Sequence, residues 1–402
     1  MSAQEPNSAP PAPEEEAAEP GFVDRYSLAQ QAGGLLAPVI TAVLAFLIGG
    51  LVIVLSTGKA PWGIYVEIFK GAGLNWFLPW VDEAERQSAA FNLQQTLITT
   101  TALILTGLAV AFAFRCGMFN IGGQGQYLSG AILAVVIGSQ LDGLSPVLHV
   151  GAALVLGTLG GALLAGIAGF LKATVGAHEV ISTIMLNWIV IWVGVFLFTL
   201  GGPLQAVETG APISDDIAEA AKLPIFWGDP LLQGLHYGFF LALAALVVYW
   251  LTLNRTTLGY GVRAVGFNPE AARYGGISVS RNYFLAMAIS GAFAGLAGAI
   301  DILGWQFRLS TGDVQLSTVG FVGIAVALLG RNTAVGVFLG ALLFGALLTG
   351  TSTRNLDPEI FPPELASNLT ILIQGLIVLF VGADVLVLWV LRRLRLAKAA
   401  AA

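Results

Sequence analysis

The sequence predicts an all-α protein, a polytopic transmembrane helical bundle of about ten spans with a short cytoplasmic helix between two of them. Apolar residues make up 56% of the 402 positions, and the mean hydropathy is +0.81. Charged residues make up 10%, against about 25% in soluble proteins. Glycine occupies 50 positions, which is typical of helices that pack closely in lipid. These observations exclude a water-soluble fold.

Ten apolar stretches support the span count, because a bilayer core of about 30 Å requires about 20 helical residues. The predicted spans are 34–55, 93–114, 118–139, 147–170, 180–200, 236–253, 283–303, 316–330, 334–350 and 366–391. The spans 316–330 and 334–350 are short and only three residues apart. A hairpin that does not fully cross the membrane is the alternative for this pair.

The lysine and arginine distribution predicts the orientation. With both termini in the cytoplasm, 12 of these residues fall on the cytoplasmic side and 6 on the outer side, as the positive-inside rule requires. Residues 1–25 are expected to form a disordered, acidic, proline-rich cytoplasmic tail, 34–392 the membrane domain, and 393–402 a second cytoplasmic tail. The long outer loops 56–92 and 201–235 are acidic, and they either meet a partner or are simply solvated.

Residues for catalysis or cofactor binding are scarce. The one Gly-Lys pair, Gly58-Lys59, lacks the rest of a phosphate-binding loop, and the three histidines have no metal-ligand spacing. A lone cysteine excludes an internal disulfide, and the net charge of −6 argues against nucleic acid. We therefore expect no enzyme activity in this chain, no cofactor and no metal.

Three glycine pairs have the spacing that lets helix backbones approach each other, and we predict that they mark helix contacts. These pairs are Gly157 with Gly161, Gly291 with Gly295, and Gly336 with Gly340.

The polar stretch 254–282 predicts a short helix outside the membrane. Asn268 suits the N-cap, Pro269 the first helical position and Glu270 the positive end of the helix, while Gly275-Gly276 would end it. A capped helix between two spans can transmit force as a rigid lever. The alternative is an ordinary interfacial loop helix.

Two further segments place neutral polar side chains beside apolar spans. The segment 117–126, GMFNIGGQGQ, predicts a broken helix, because irregular backbone at membrane depth needs protein or a water-filled cavity around it. The segment 179–187, EVISTIMLN, predicts a polar stripe on one helix face. Their candidate pathway residues are Asn120, Gln124, Gln126, Ser182, Thr183 and Asn187. These side chains either line a solute pathway or have a structural role. In the structural alternative, the amides of 117–126 satisfy backbone at a tight turn near the cytoplasmic end, or the polar groups of both segments hydrogen-bond helices to one another.

The stretch 263–277, RAVGFNPEAARYGGI, resembles the EAA loop of bacterial ABC importer permeases, in the version found in the branched-chain amino acid, ribose and nucleoside permease family. The segments 117–126 and 179–187 are similar to its general nucleoside branch, and the resemblance runs from about 35 to 392. It implies docking of an ATPase subunit on Arg263, Asn268, Pro269, Glu270, Ala271, Ala272 and Gly276. It also implies a homologous second permease in a heterodimer, an extracytoplasmic substrate-binding protein, and a multi-pass location in the bacterial inner membrane, in contact with lipid.

The expected function is import of nucleosides, with ATP hydrolysed by partner chains. Amides and hydroxyls suit an uncharged nucleoside better than a zwitterion, which would require a paired cation and anion. The same machinery importing a monosaccharide such as ribose, or a branched-chain amino acid, is the first alternative. An ion-coupled secondary transporter is the second, although Glu179, Asp301 and Asp384 are few carboxylates for an ion relay.

Overall fold

The computed structural model of the chain describes residues 36–352 except 59, 142, 230 and 231, together with 368, 371–377 and 379. The predicted tails 1–25 and 393–402, and most of the predicted span 366–391 with Asp384, lie outside these residues. The described part is mostly helical, as predicted. Its α-helices are α1 Leu36–Thr57, α2 Pro61–Gly71, α3 Glu83–Arg115, α4 Gly123–Gln140, α5 Pro146–Val175, α6 Glu179–Phe198, α7 Gly238–Arg255, α8 Thr257–Phe267, α9 Pro269–Tyr274, α10 Val279–Asp301, α11 Thr311–Leu316, α12 Val319–Leu329 and α13 Ala334–Gly350.

Short elements fill the connections. Three 3-10 turns occupy Leu74–Phe77, Val207–Thr209 and Glu219–Ala221, and a π-helical turn over Ile302–Gln306 extends α10. The strands β1 (Ile225–Trp227) and β2 (Leu235–His236) form an antiparallel pair. The predicted outer loops 56–92 and 201–235 therefore carry local structure of their own.

Six helical segments among the described residues are long and apolar enough to cross a membrane: Glu83–Arg115, Pro146–Val175, Glu179–Phe198, Gly238–Arg255, Val279–Gln306 and Thr311–Leu329. Two shorter apolar helices cover Ala42–Leu55 and Ala334–Gly350. Large apolar side chains such as Leu163 and Phe196 are 70% and 64% exposed on this surface, as expected where a bundle faces lipid. The count of ten spans stays a prediction.

The centre of the bundle is a contact made by glycines. Helices α5 and α10 form its most extensive pair. A methyl group added at Gly295 would lie 2.5 Å from the Gly157 carbonyl oxygen, and one added at Gly161 or Gly291 would overlap the backbone of the opposite helix. The two predicted glycine pairs thus face each other, and the prediction of a helix contact is confirmed. The third pair, Gly336 with Gly340, packs on the 326–330 end of α12.

The two ends of the bundle differ in charge. One, which we call the basic end, carries Arg115, the α5–α6 connection, α8, α9 and the turn at 331–333. The other, the loop end, carries 60–82, 199–237 and 307–311. Of the 11 lysines and arginines in the described residues, seven lie in the segments of the basic end or the helix turns that adjoin them, and four lie in or beside those of the loop end. Each end is held together by contacts of its own. At the basic end the Arg115 guanidinium donates to the Asn332 carbonyl oxygen (2.8 and 3.1 Å), and at the loop end Ser310 pairs with Ile213 in a β-bridge.

Three predicted spans have different limits in the structure. Helix α3 begins ten residues before the predicted 93, where the Asp82 side chain accepts from the Glu85 amide (2.8 Å). Helix α4 begins at Gly123 rather than 118, because 117–122 is irregular. The predicted span 316–330 is replaced by α11 and α12, with a break at Ser317 and Thr318. Together these two helices run from the loop end to the basic end.

Candidate functional site

The first candidate site is the capped helix at the basic end. The Asn268 side chain accepts from the amides of Glu270 and Ala271 (2.9 and 3.0 Å), and Pro269 takes the first position of α9. At its other end Gly276 adopts a φ of 79°, and the Ile277 amide donates to the Ala272 carbonyl oxygen (2.9 Å). The predicted capped helix is therefore present, ending at Tyr274.

The residues proposed to dock an ATPase differ in how exposed they are. Asn268, Pro269, Glu270 and Ala271 are exposed, whereas Ala272 is 6% exposed and joins the apolar core. Arg263 is half-buried, and its Nε donates to the Gly259 carbonyl oxygen one turn earlier (3.3 Å). Ala272 thus anchors α9 in the core, the Nε hydrogen bond of Arg263 stays within α8, and Gly276 ends α9.

Sequence reasoning missed two aromatic residues that flank α9. Phe267 is 91% exposed and Tyr274 is 95% exposed, at an end of the bundle outside the apolar helices. Aromatic residues are enriched in protein interfaces, so these two join the residues to be tested for ATPase docking. The sequence contained one indication of them, since both residues lie next to the predicted caps of the short helix. In the structure only one residue of that helix is buried.

Helix α9 is joined rigidly to the membrane helices through α8. Helix α8 packs on α7, α9 and α10. A methyl group at Gly266 would overlap the Arg115 carbonyl oxygen, so α8 touches the end of α3 backbone to backbone. Arg115 holds the turn that precedes α13, and the Tyr249 hydroxyl donates to the same Asn332 carbonyl oxygen (2.7 Å). A continuous set of contacts therefore connects α9 to the α12–α13 turn.

The second candidate site, the polar junction, consists of the side chains of Asn120, Gln124, Gln126, Asn187 and Ser290. They are between 0 and 3% exposed. Asn120 is its centre: its Nδ2 donates to Gln126 Oε1 (2.8 Å) and Ser290 Oγ (2.7 Å), and its Oδ1 accepts from Gln126 Nε2 (2.9 Å) and the Gly122 amide (2.9 Å). Ser290 Oγ in turn donates to the Ala109 carbonyl oxygen (2.5 Å).

The rest of the junction joins two more helices, α6 and α12. Asn187 Oδ1 accepts from the Gly125 amide (2.8 Å), and its Nδ2 donates to the Ile121 carbonyl oxygen (2.9 Å). Gln124 Oε1 accepts from the Gly320 amide (2.9 Å). The junction therefore ties α3, α6, α10 and α12 to the start of α4. Of the segment 117–126 predicted as a broken helix, 117–122 is irregular and 123–126 is helical.

The two other predicted pathway residues bond only within α6. Thr183 is fully buried and donates to the Val180 carbonyl oxygen (3.1 Å), while the half-buried Ser182 donates to the His178 carbonyl oxygen (3.2 Å). The geometry favours the interhelical role that the sequence left open. The lining of a pathway by these six side chains stays a prediction. Ser290 was missed because its partner, Asn120, lies 170 positions away in the chain.

Replacing Asn120 with leucine should lower stability. The change would remove the hydrogen bonds that Asn120 makes with the Gly122 amide, the Gln126 side-chain amide and the Ser290 hydroxyl. Each buried polar group that is left unsatisfied costs about 1–3 kcal/mol. Ser182→Ala is the matched control, since it removes one local bond of a half-buried hydroxyl and should change stability by no more than about 0.5 kcal/mol. Thermal unfolding and uptake are measured in parallel. Unchanged unfolding with reduced uptake would instead assign Asn120 to a pathway.

The bundle of apolar helices and its close glycine contacts define a multi-pass helical membrane protein. Residues 92–382 match the model of the family described as branched-chain amino acid transport system / permease component. The chain belongs to this family.

Three relatives match most of the chain. Guanosine ABC transporter permease protein NupP of Bacillus subtilis (strain 168) is 38% identical over 370 residues, covering 90% of this chain and 97% of its own. Nucleoside ABC transporter permease protein NupB of Lactococcus lactis subsp. cremoris (strain MG1363) is 34% identical, covering 84% and 88%. Glucose ABC transporter permease protein TsgB13 of Haloferax volcanii is 32% identical, covering 85% and 86%.

The same Lactococcus strain supplies a second, weaker match. Nucleoside ABC transporter permease protein NupC is 29% identical over 259 residues, covering 62% of this chain and 78% of its own. No solved structure matches the chain.

Proposed function

We propose that this chain is a membrane-spanning permease subunit of an ATP-driven ABC importer for nucleosides. The observation that carries the proposal is its similarity over most of its length to permeases named for guanosine and nucleoside transport. The neutral amides of the polar junction agree with an uncharged cargo, because they offer both donors and acceptors without a fixed charge.

The importer would contain several other chains. ATP would be hydrolysed by cytoplasmic ATPase subunits that dock on α9, and this chain would carry no catalytic residue. A homologous permease would form a heterodimer with it, which is supported by the two permeases of one Lactococcus strain that both resemble this chain. An extracytoplasmic binding protein would deliver the nucleoside at the loop end.

The proposed topology has ten crossing segments within 34–392 and both termini in the cytoplasm, in a bacterial inner membrane. Nine of the segments would be α1, α3, α4, α5, α6, α7, α10, the α11–α12 pair and α13, and the tenth would be 366–391. Successive segments then run in opposite directions. The excess of lysine and arginine at the basic end supports placing that end in the cytoplasm.

Uptake by the complete complex in proteoliposomes tests the proposed function. With ATP on the basic-end side, labelled guanosine and uridine should accumulate, while glucose, ribose and leucine should not. A complex built with two copies of this chain in place of the heterodimer should be inactive. Uptake that follows a proton or sodium gradient without ATP would overturn the proposal, and accumulation of glucose alone would transfer it to the sugar alternative that TsgB13 represents.

A further inference from the structure

A break interrupts the membrane segment formed by α11 and α12. Helix α11 ends at Leu316 and α12 begins at Val319, leaving Ser317 and Thr318 between them with extended and irregular backbone. The Thr318 side chain makes no cap hydrogen bond to α12. The start of α12 is thus a helix N-terminus inside the bundle, with its first amides directed toward the break.

The break lies at membrane depth. The start of α11 is fixed at the loop end, where the Thr311 amide donates to the Pro212 carbonyl oxygen (3.1 Å). Gly320 is fixed to Gln124, which neighbours Asn187 through Gly125. Asn187 lies 11 residues before the end of α6, so this level is about 16 Å from the loop end at 1.5 Å per residue. A hydrocarbon core is about 30 Å thick, so the break falls within it.

The face that carries the break is uncovered by the rest of the described chain. Leu316 is 79% exposed, and Gln315 and Thr318 are exposed beside it. Non-helical backbone and polar side chains cannot face lipid, because nothing there satisfies their hydrogen bonds. This face must therefore meet water, another protein or a part of the chain outside the described residues.

Two buried donors next to the break lack acceptors within the described residues. They are Gln124 Nε2 and Ser317 Oγ. The Oε1 atom of the same Gln124 side chain accepts from the Gly320 amide. Buried polar atoms in native proteins are nearly always paired, with protein or with water. An acceptor from outside the described residues is thus needed at the same place where the backbone is irregular.

We propose that residues 315–318, with the Gln124 amide behind them, form the solute-contacting wall of a water-filled pathway. The opposite wall would come from the second permease, a step that rests on the proposed function. The exposed side chains of Gln315 and Thr318 offer hydrogen-bond donors and acceptors without a charge, which suits a neutral polar solute. The path would run along the outer face of the α11–α12 pair, and the core of the polar junction would support it from behind.

Thiol labelling of single-cysteine variants tests this assignment in the complete importer. The native Cys116 gives a low background, because it is 1% exposed and burial raises the pKa of its thiol to about 12. Thr318→Cys is the test variant, with Gln315→Cys as a second position if the first fails to assemble. Ile189→Cys is the matched control, since Ile189 is 55% exposed and lies about 14 Å from the loop end of α6, on unbroken helix.

A charged, water-soluble thiosulfonate should modify Thr318→Cys at least about 10-fold faster than Ile189→Cys, because thiolates form in water. A lipophilic maleimide should modify Ile189→Cys. Reaction of Thr318→Cys with the lipophilic reagent alone would place the break in lipid, and reaction with neither would place it in a dry protein contact. Either outcome would overturn the proposal.

The labelling requires no transport, so it stands apart from the cargo assignment. Saturating guanosine should slow modification of Thr318→Cys about 10-fold if the bound solute covers it. Protection by glucose in place of guanosine would still support the pathway wall while removing the nucleoside assignment.

Discussion

Changing both Phe267 and Tyr274 to alanine is expected to abolish ATP-driven uptake while the membrane domain stays folded. These side chains are 91% and 95% exposed on either side of α9, so their loss removes nothing that the chain itself packs. Buried aromatic anchors at interfaces contribute about 2 kcal/mol or more each, so docking of the ATPase should weaken about 1,000-fold. Copurification of the ATPase and the ratio of solute moved to ATP hydrolysed are the two measurements.

Two exposed aromatics at the opposite end provide the matched control. Trp62 and Trp80 are 76% and 77% exposed at the loop end, and their double alanine variant should retain the ATPase. Charge reversal at Glu270 gives an independent variant, because a lysine there opposes the positive end of α9 by about 0.3–1 kcal/mol and changes the docking surface. Full ATPase retention and normal coupling in both the Phe267/Tyr274 and Glu270 variants would show that α9 is an ordinary loop helix.

The features that could be predicted from the sequence are those with local causes. Apolar runs and scarce charge predicted a helical membrane bundle, and Asn268, Pro269 and Gly276 predicted a capped helix, since caps act within four residues. The glycine pairs predicted close helix contacts because a missing side chain permits approach wherever the helix lies. Their mutual pairing, Gly157 and Gly161 with Gly291 and Gly295, came only from the structure.

The features that could not be predicted have partners distant in the chain. Asn120 was assigned to a pathway or a turn, yet its partner Ser290 is 170 positions away, and no local pattern indicates that contact. The limits of 316–330 were wrong because the segment begins with α11 and the break, whose residues 311–318 are mostly polar and so precede the apolar run. A local indication did exist there: Ser310 and Asp313 have capping-box spacing, and the structure shows both of its hydrogen bonds at the start of α11.

The depth of the polar junction in the membrane also depends on contacts between residues that are distant in the chain. Span counting placed 117–126 near the cytoplasmic end, where its amides could serve as turn caps. Because 117–122 runs back into the bundle, Asn120 instead meets Ser290, 11 residues inside α10. About 16 Å of helix separates that position from the basic end. The irregular segment is thus at membrane depth, where every hydrogen bond must be met by protein or trapped water.

Replacing Gly295 with alanine is expected to have the largest effect on stability, with little or no folded protein recovered. In lipid, helices are held by close packing because the acyl chains are as apolar as the side chains, so the α5–α10 contact cannot be replaced by hydrophobic burial elsewhere. The added methyl group would lie 2.5 Å from the Gly157 carbonyl oxygen and 2.9 Å from the Gly161 backbone. Overpacking costs about 1–3 kcal/mol when side chains can yield, and backbone atoms of two long helices yield less.

Gly151→Ala is the control for this change, because Gly151 lies on α5 and an added methyl group there meets nothing within 4 Å. It should leave stability unchanged or raise it by up to about 1 kcal/mol through the better helix propensity of alanine. Yield after detergent extraction and the midpoint of thermal unfolding are compared for the two variants. If Gly295→Ala unfolds at the same temperature as Gly151→Ala, the two helices must be able to separate without cost, and the close glycine contact is not what holds the bundle together.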